Sequence, residues 1–147
     1  MYRKIVVGTD GSPSAARAVS QAAELCDLTG AELHIVSAIR VASAALVEAS
    51  LPVPVAVNDR AWEMDREEAL ERILGAARAD LPASLKVQTH ARSGEPGEAI
   101  LQVANEVGAD LIVVGNRGMQ GYRRLLGSVP NHISHSSPCS LLIVQTS

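Results

Sequence analysis

The sequence predicts an α/β fold in which a parallel sheet of five strands is covered by helices on both faces. Short β-branched runs alternate along the 147 residues with segments whose apolar residues recur at helical spacing. This alternation is typical of parallel sheets. The runs at residues 4–8 and 110–114 are almost continuously apolar, as expected for strands buried on both sides. No repeat or domain boundary is visible, so we expect one domain over residues 1–147.

In the first half of the chain, single residues mark where helices start and stop. The strand at residues 4–8 is followed by Ser12, a good N-cap, and by Pro13, which suits the first helical position. The helix is expected to stop at Gly30, because glycine readily adopts the left-handed conformation that ends helices. A second strand is predicted at residues 32–38, and residues 39–58 are predicted to form a long loop.

The second half continues the alternation of helix and strand. A second helix is predicted from about residue 58 to residue 79, and a third strand at residues 85–91. Pro96 starts the third helix, which is expected to stop near Gly108. The fourth strand, residues 110–114, leads through a glycine-rich segment into a short fourth helix, and residues 141–144 form the last strand.

The composition argues against several classes of partner. Only 2% of the residues are aromatic and the net charge is −3, so the chain offers neither a stacking platform nor a basic surface for nucleic acid. The longest charge-poor stretch, residues 41–57, contains Glu48 and is shorter than the roughly 20 residues of a membrane span. No signal peptide precedes the first strand, and the two cysteines fit a reducing compartment, so we expect a cytoplasmic protein.

The strongest signal for a binding site is the glycine-rich segment after the fourth strand. Gly115 and Gly118 allow backbone N–H groups to face an anion without obstruction by side chains. A helix that begins near Gly127 and Ser128 adds the positive end of its dipole, and Arg117 adds a charge suited to phosphate oxygens. The spacing matches neither a Walker A loop nor the G-x-G-x-x-G fingerprint. From the residues alone, a phosphate site and a plain turn are equally good interpretations.

A second candidate is the short polar segment after the first strand. Gly8, Thr9 and Asp10 follow the carboxyl end of that strand, which is where open α/β sheets bind their ligands. If the first and fourth strands are neighbours, the two candidate segments face each other across one crevice. Asp10 can then accept hydrogen bonds from a ribose or an adenine, whereas the alternative is that it only shapes the turn.

The sequence does not predict a catalytic residue or a set of metal ligands. His132 and His135 are three residues apart and can share a helical face, but they lack a third ligand. His34 and His90 fall in predicted strands, where filling a position in the sheet is the simpler interpretation. No serine stands in a G-x-S-x-G elbow.

Over essentially its whole length the chain resembles the universal stress protein family. The ATP-binding members carry a glycine, two residues, a second glycine, nine residues and then Gly-Ser or Gly-Thr. Here Gly115 and Gly118 match the first half, and Gly127 with Ser128 match the second, although eight residues rather than nine separate Gly118 from Gly127. The parts of the chain that carry the resemblance are residues 4–12, residues 109–115, Gly127, Ser128, Val129, Pro138 and Cys139.

The resemblance implies a Rossmann-like sheet with strand order 3-2-1-4-5 and a site for an adenine nucleotide. In this site Asp10 meets the ribose or the adenine, the backbone at Ala38, just after the second strand, borders the base, and Arg117 reaches a phosphate. ATP, with or without Mg²⁺, is the expected ligand, and AMP or cyclic AMP is the alternative. The residues expected to bind the nucleotide are Gly8, Thr9, Asp10, Ala38, Val114, Gly115, Arg117, Gly118, Gly127, Ser128 and Val129.

The resemblance also implies a stress-response regulator that acts by binding, with at most slow ATP hydrolysis and with a protein partner that the sequence does not identify. In the implied order the last strand lies at an edge of the sheet, and family members commonly dimerise through it, so we expect a homodimer. Two alternatives stay open: a nucleotide-free interaction protein of the same fold, and a slow ATPase or adenylylating enzyme. The apolar residues of the last strand are Leu141, Leu142, Ile143 and Val144.

Overall fold

Strands and helices alternate through the parts of the chain that the computed structural model describes, which are residues 1–39, 59–116 and 128–146. For residues 59–64 and for Ser128 the backbone alone is described. Most of the loop predicted at residues 39–58, together with Arg117, Gly118 and Gly127, lies outside these ranges. In chain order the elements are β1 (Lys4–Gly8), α1 (Pro13–Thr29), β2 (Glu32–Ile39), α2 (Asp59–Ala79), β3 (Val87–Ser93), α3 (Pro96–Val107), β4 (Leu111–Gly115), α4 (Ser128–Ser136) and β5 (Ser140–Val144).

The strands pair in parallel into one sheet with the order β3-β2-β1-β4-β5. β1 lies in the centre, where Ile5 pairs with Leu33 of β2 on one side and with Leu111 of β4 on the other. The chain proceeds outward from β1 to β3, returns to the far side of β1, and proceeds outward again from β4 to β5. The predicted fold class and strand order are therefore confirmed, and the switch point of the sheet lies between β1 and β4.

An apolar cluster lies on each face of the sheet. Since alternate residues of a strand point to opposite faces, Val7 of β1 packs under α1 and α2, while Val6 packs under α3 and α4. Leu74 of α2 belongs to the first cluster, and Ile100 of α3 and Ile133 of α4 belong to the second. Within the described ranges, no helix is long and apolar enough to cross a membrane.

The predicted helix boundaries that depend on capping residues are confirmed. The side chain of Ser12 accepts a hydrogen bond from the first turn of α1, and Pro13 occupies the first helical position. Gly30 ends α1 with φ of 76°, and Gly108 ends α3 with φ of 68°. Both angles lie in the left-handed region, which favours glycine. Pro96 is the first residue of α3, as predicted.

The prediction for the third strand was wrong by two residues at each end. β3 spans Val87–Ser93 rather than residues 85–91. Leu85 lies instead in a turn, where its N–H donates to the carbonyl oxygen of Pro82 at 3.1 Å. β3 is an edge strand that mixes half-buried and exposed residues, so its apolar pattern defines its ends poorly.

Four further strand boundaries differ by one residue from the predictions: the end of β2, both ends of β4 and the start of β5. Ala38 lies within β2 rather than after it, because β2 continues to Ile39. Asp110 precedes β4 rather than opening it. Its Oδ2 accepts hydrogen bonds from the backbone N–H groups of Arg3 at 2.6 Å and Lys4 at 2.8 Å, and these bonds lower the pKa of the carboxyl group. Asp110 therefore joins the start of β4 to the start of β1.

Candidate ligand-binding site

The switch point brings the two predicted segments to the same edge of the sheet. Gly8 ends β1 and Gly115 ends β4, and the pairing of Val7 with Val113 places these strand ends side by side. α4 begins at Ser128, as predicted, and the N–H groups of a first helical turn, which have no partner within the helix, favour an anion. The edge therefore combines two strand ends and a helix N-terminus, as ligand sites of open α/β sheets do.

The turn after β1 is held by its own hydrogen bonds. Thr9 is buried, and its N–H donates to the carbonyl oxygen of Val36 at 2.9 Å. Asp10 is half-buried, and its Oδ1 accepts from the N–H of Ser12 at 2.9 Å. Asp10 thus shapes the turn, as the simpler interpretation of the sequence expected. Since the described residues supply no partner for its second oxygen, Asp10 can also accept a hydrogen bond from a ligand.

Ala38, Val114 and Val129 lie in the apolar cluster on the α3–α4 face of the sheet. All three are buried, with exposed fractions of 7%, 3% and 1%. All three residues therefore contribute to the core beneath this edge of the sheet.

Gly115 lies where a larger residue would not fit easily. A Cβ atom at this position would lie 3.3 Å from Cγ2 of Thr146 and 3.7 Å from Oγ of Ser14. The sequence predicted a glycine here that leaves the backbone open to an anion, and the contact with the residues after β5 was not predicted. Nothing in the local sequence marks Thr146 as a neighbour of β4.

The predicted positions of the histidines are confirmed, but a contact between two of them was missed. His34 of β2 and His90 of β3 lie in strands, and Nδ1 of His34 is 2.9 Å from Nε2 of His90. Oε1 of Glu32 is 2.7 Å from Nε2 of His34. Burial lowers the pKa of both histidines, and the charge of Glu32 opposes this effect at His34.

The last helix places its two histidines in different surroundings. Nε2 of His132 is 2.7 Å from Oε1 of Glu98 on α3, and both side chains are substantially exposed. His135 is exposed. In the described ranges, no three His, Cys, Asp or Glu side chains are grouped so that they could hold a metal ion.

The fold and this edge together define an α/β protein whose candidate ligand site lies at the switch point of a five-stranded parallel sheet. Residues 1–145 match the sequence profile described as the Universal stress protein family. The chain belongs to this family, as the resemblance in the sequence indicated.

Individual relatives match this chain almost end to end. The chain is 33% identical to Universal stress protein YxiE of Bacillus subtilis (strain 168), and the alignment covers 99% of this chain and 100% of the relative. Among solved structures it is similar to a universal stress protein in complex with cAMP, with a TM-score of 0.66, 32% identity and coverage of 99% and 98%. It is also similar to hypothetical protein MJ0577, with a TM-score of 0.79, 26% identity and coverage of 100% and 98%.

Proposed function

We propose that this chain is a cytoplasmic, single-domain stress-response regulator that binds an adenine nucleotide where β1 and β4 end, and that it acts by binding rather than by efficient catalysis. The observation that carries the proposal is the relative in complex with cAMP, which is 32% identical over 99% of this chain. The glycine pattern of the sequence favours ATP, with or without Mg²⁺, and the complex of the relative supports cyclic AMP as the alternative.

In the proposed complex one side of the crevice binds the ribose and the base, and the other side binds the phosphates. The second carboxylate oxygen of Asp10 accepts a hydrogen bond from the ribose, and the backbone of Ala38 borders the base. Gly115 and the N-terminus of α4 at Ser128 lie on the phosphate side, where Arg117 adds positive charge. The other proposed contacts are Gly8, Thr9, Val114, Gly118, Gly127 and Val129.

The first test is thermal denaturation with ATP, ADP, AMP and cyclic AMP, each with and without Mg²⁺. A ligand at about 100 times its dissociation constant stabilises the native state by about 2.7 kcal/mol. For a chain of this size we expect the melting temperature to rise by roughly 5 to 10 °C. If no nucleotide raises it at millimolar concentration, the nucleotide-free interaction protein becomes the better proposal, and the eight-residue spacing between Gly118 and Gly127 is the observation that favours it.

Asp10→Asn is expected to raise the dissociation constant of the nucleotide by about 10 to 100 times, because it removes a hydrogen bond to a charged acceptor. The amide keeps an oxygen for the N–H of Ser12, so the turn is preserved. Isothermal titration calorimetry measures the change. The matched control is Asp27→Asn, which removes an exposed carboxylate from α1. Unchanged affinity in Asp10→Asn would show that the carboxylate does not bind the ligand.

We also propose that the protein is a homodimer that pairs through β5. β5 lies at an edge of the sheet, and Leu142 is 36% exposed there. An apolar edge strand favours pairing with a second chain, because its outer N–H and C=O groups lack partners in the sheet. Leu141 and Ile143 pack instead against the α3–α4 cluster, so Leu142 is the apolar residue of β5 best placed to meet a partner.

Leu142→Lys is expected to convert the dimer into a monomer, since pairing would bury an unpaired charge. Analytical ultracentrifugation at several concentrations measures the association, and a rise of at least about tenfold in the dimer dissociation constant is expected. Leu28→Lys is the control, because Leu28 is 80% exposed and belongs to α1 rather than to β5. A wild-type protein that is monomeric, or a Leu142→Lys variant that dimerises normally, would contradict the proposal.

A further inference from the structure

Thr146, two residues beyond β5, has every polar group engaged in hydrogen bonds. It is 4% exposed. Its N–H and its hydroxyl both donate to Oδ1 of Asn116, each at 2.9 Å. Because the Thr146 hydroxyl donates its only proton to Asn116, the hydroxyl of Ser14 is the donor in the short contact between Ser14 and Thr146. The carbonyl oxygen of Thr146 accepts from Nη1 of Arg17.

Asn116 is the residue through which these bonds reach the end of β4. Its side-chain oxygen accepts both bonds from Thr146, and its own N–H donates to the carbonyl oxygen of Val144 at 2.8 Å. The point at which the chain leaves β4 is therefore held by three hydrogen bonds to the residues at and after the end of β5. In the sequence, Asn116 directly precedes Arg117.

Ser14 connects the same network to the other side of the crevice. It lies in the first turn of α1, which follows the turn shaped by Asp10 and Ser12. Thr146 thus contacts both the helix that follows the β1 turn and the residue that follows β4. Thr146 also packs closely against the end of β4, because a Cβ atom at Gly115 would lie only 3.3 Å from Cγ2 of Thr146.

We propose that Thr146 is a positioning residue of the nucleotide site, which holds Asn116 and thereby fixes the backbone at Gly115, where β4 ends. Thr146 acts through Asn116 and Ser14, and it does not itself contact the ligand. This proposal rests on the proposed function, because it assigns Thr146 a role in the binding of the same nucleotide.

The test compares Thr146→Val with the wild-type protein. Valine keeps the shape of the side chain but removes the hydroxyl, so Oδ1 of Asn116 and Oγ of Ser14 each lose a partner. We expect the dissociation constant of the nucleotide to rise about tenfold. Hydrogen exchange of the Asn116 amide, measured by NMR without nucleotide, is expected to accelerate about tenfold. Thr146→Ser keeps the hydroxyl and is expected to restore both values.

Thr29→Val is the matched control. The hydroxyl of Thr29 donates to the carbonyl oxygen of Leu25 at 2.6 Å and accepts from the N–H of Ala31 at 3.3 Å, at the opposite end of α1. This variant also removes a bonded threonine hydroxyl and is expected to lower the melting temperature. It is expected to leave the nucleotide affinity and the exchange of Asn116 unchanged.

Each outcome decides between the proposals. Unchanged nucleotide affinity in Thr146→Val, or an equal loss of affinity in Thr29→Val, would overturn the positioning role of Thr146. Unchanged exchange of the Asn116 amide in Thr146→Val would overturn it as well. If the wild-type protein binds no nucleotide, the proposed function fails and the role of Thr146 towards the ligand fails with it. Faster exchange at Asn116 would in that case still support the anchoring of β4.

Discussion

Ile133→Ala is expected to lower the free energy of unfolding by about 2 to 5 kcal/mol, because it removes three buried carbon atoms and leaves a cavity. Ile133 is 0% exposed and packs α4 against the sheet in the cluster that contains Val114. For a chain of this size, each kcal/mol corresponds to about 2 to 4 °C in melting temperature. Differential scanning calorimetry should therefore show a drop of several degrees.

Ile100→Ala separates loss of stability from loss of binding. Ile100 is also 0% exposed and lies in the same cluster, but on α3 rather than α4. Both variants are expected to lose similar stability. Only Ile133→Ala is expected to weaken nucleotide binding, by about tenfold, because Ile133 holds the helix that begins at Ser128. If both variants bind the nucleotide as the wild-type protein does, the position of α4 does not control binding.

Acidification below pH 6.5 is expected to destabilise the protein through His34 and His90. Their facing nitrogen atoms are 2.9 Å apart, so one proton at most can lie between them. Burial lowers the pKa of each ring from 6.5 in the folded state. The unfolded chain therefore binds more protons as the pH falls below 6.5. The contribution of the two histidines to the free energy of unfolding is fully present above pH 6.5. It is lost progressively as the pH falls from 6.5 towards the lowered pKa values of the folded protein.

Denaturant unfolding at pH 8, 7, 6 and 5 measures this loss, and His90→Gln assigns it. Glutamine keeps a donor for Nδ1 of His34 but does not titrate, so we expect a shallower dependence of stability on pH.

The charged groups around the pair are Glu32 and Lys4 near His34, and Arg92 and Glu106 near His90. They stay in place in the variant. His135→Gln, which replaces an exposed histidine, is the control. The same pH dependence in His90→Gln and in the wild-type protein would exclude the pair as its source.

The ends of α1 and α3 could be predicted from the sequence because they depend on single residues. Ser12, Gly30, Pro96 and Gly108 act on the backbone conformation of their immediate neighbours, and each lies at a helix end in the structure. The ends of β3 could not be predicted in the same way. The position of an edge strand depends on its pairing with β2, which the alternation of half-buried residues does not determine.

The candidate site was predictable where it depends on strand order. A sheet with β1 beside β4 necessarily brings Gly8 and Gly115 to one edge. The pairs that were not predicted join residues far apart in the chain. Thr146 is 30 residues from Asn116, and His90 is 56 residues from His34. No local pattern relates the members of either pair, because the contact depends on the packing of separate strands.

The central position of β1 has a consequence for the order in which the chain acquires its structure. β1 can pair with β2 as soon as both leave the ribosome, but its other edge pairs with β4, and the bond from Lys4 to Asp110 joins residues 106 positions apart. Contacts at such separation slow folding. Until β4 is synthesised, the apolar β1 has an unpaired edge that can associate with other nascent chains. We therefore expect the growing chain to be most prone to association before Asp110 and β4 emerge.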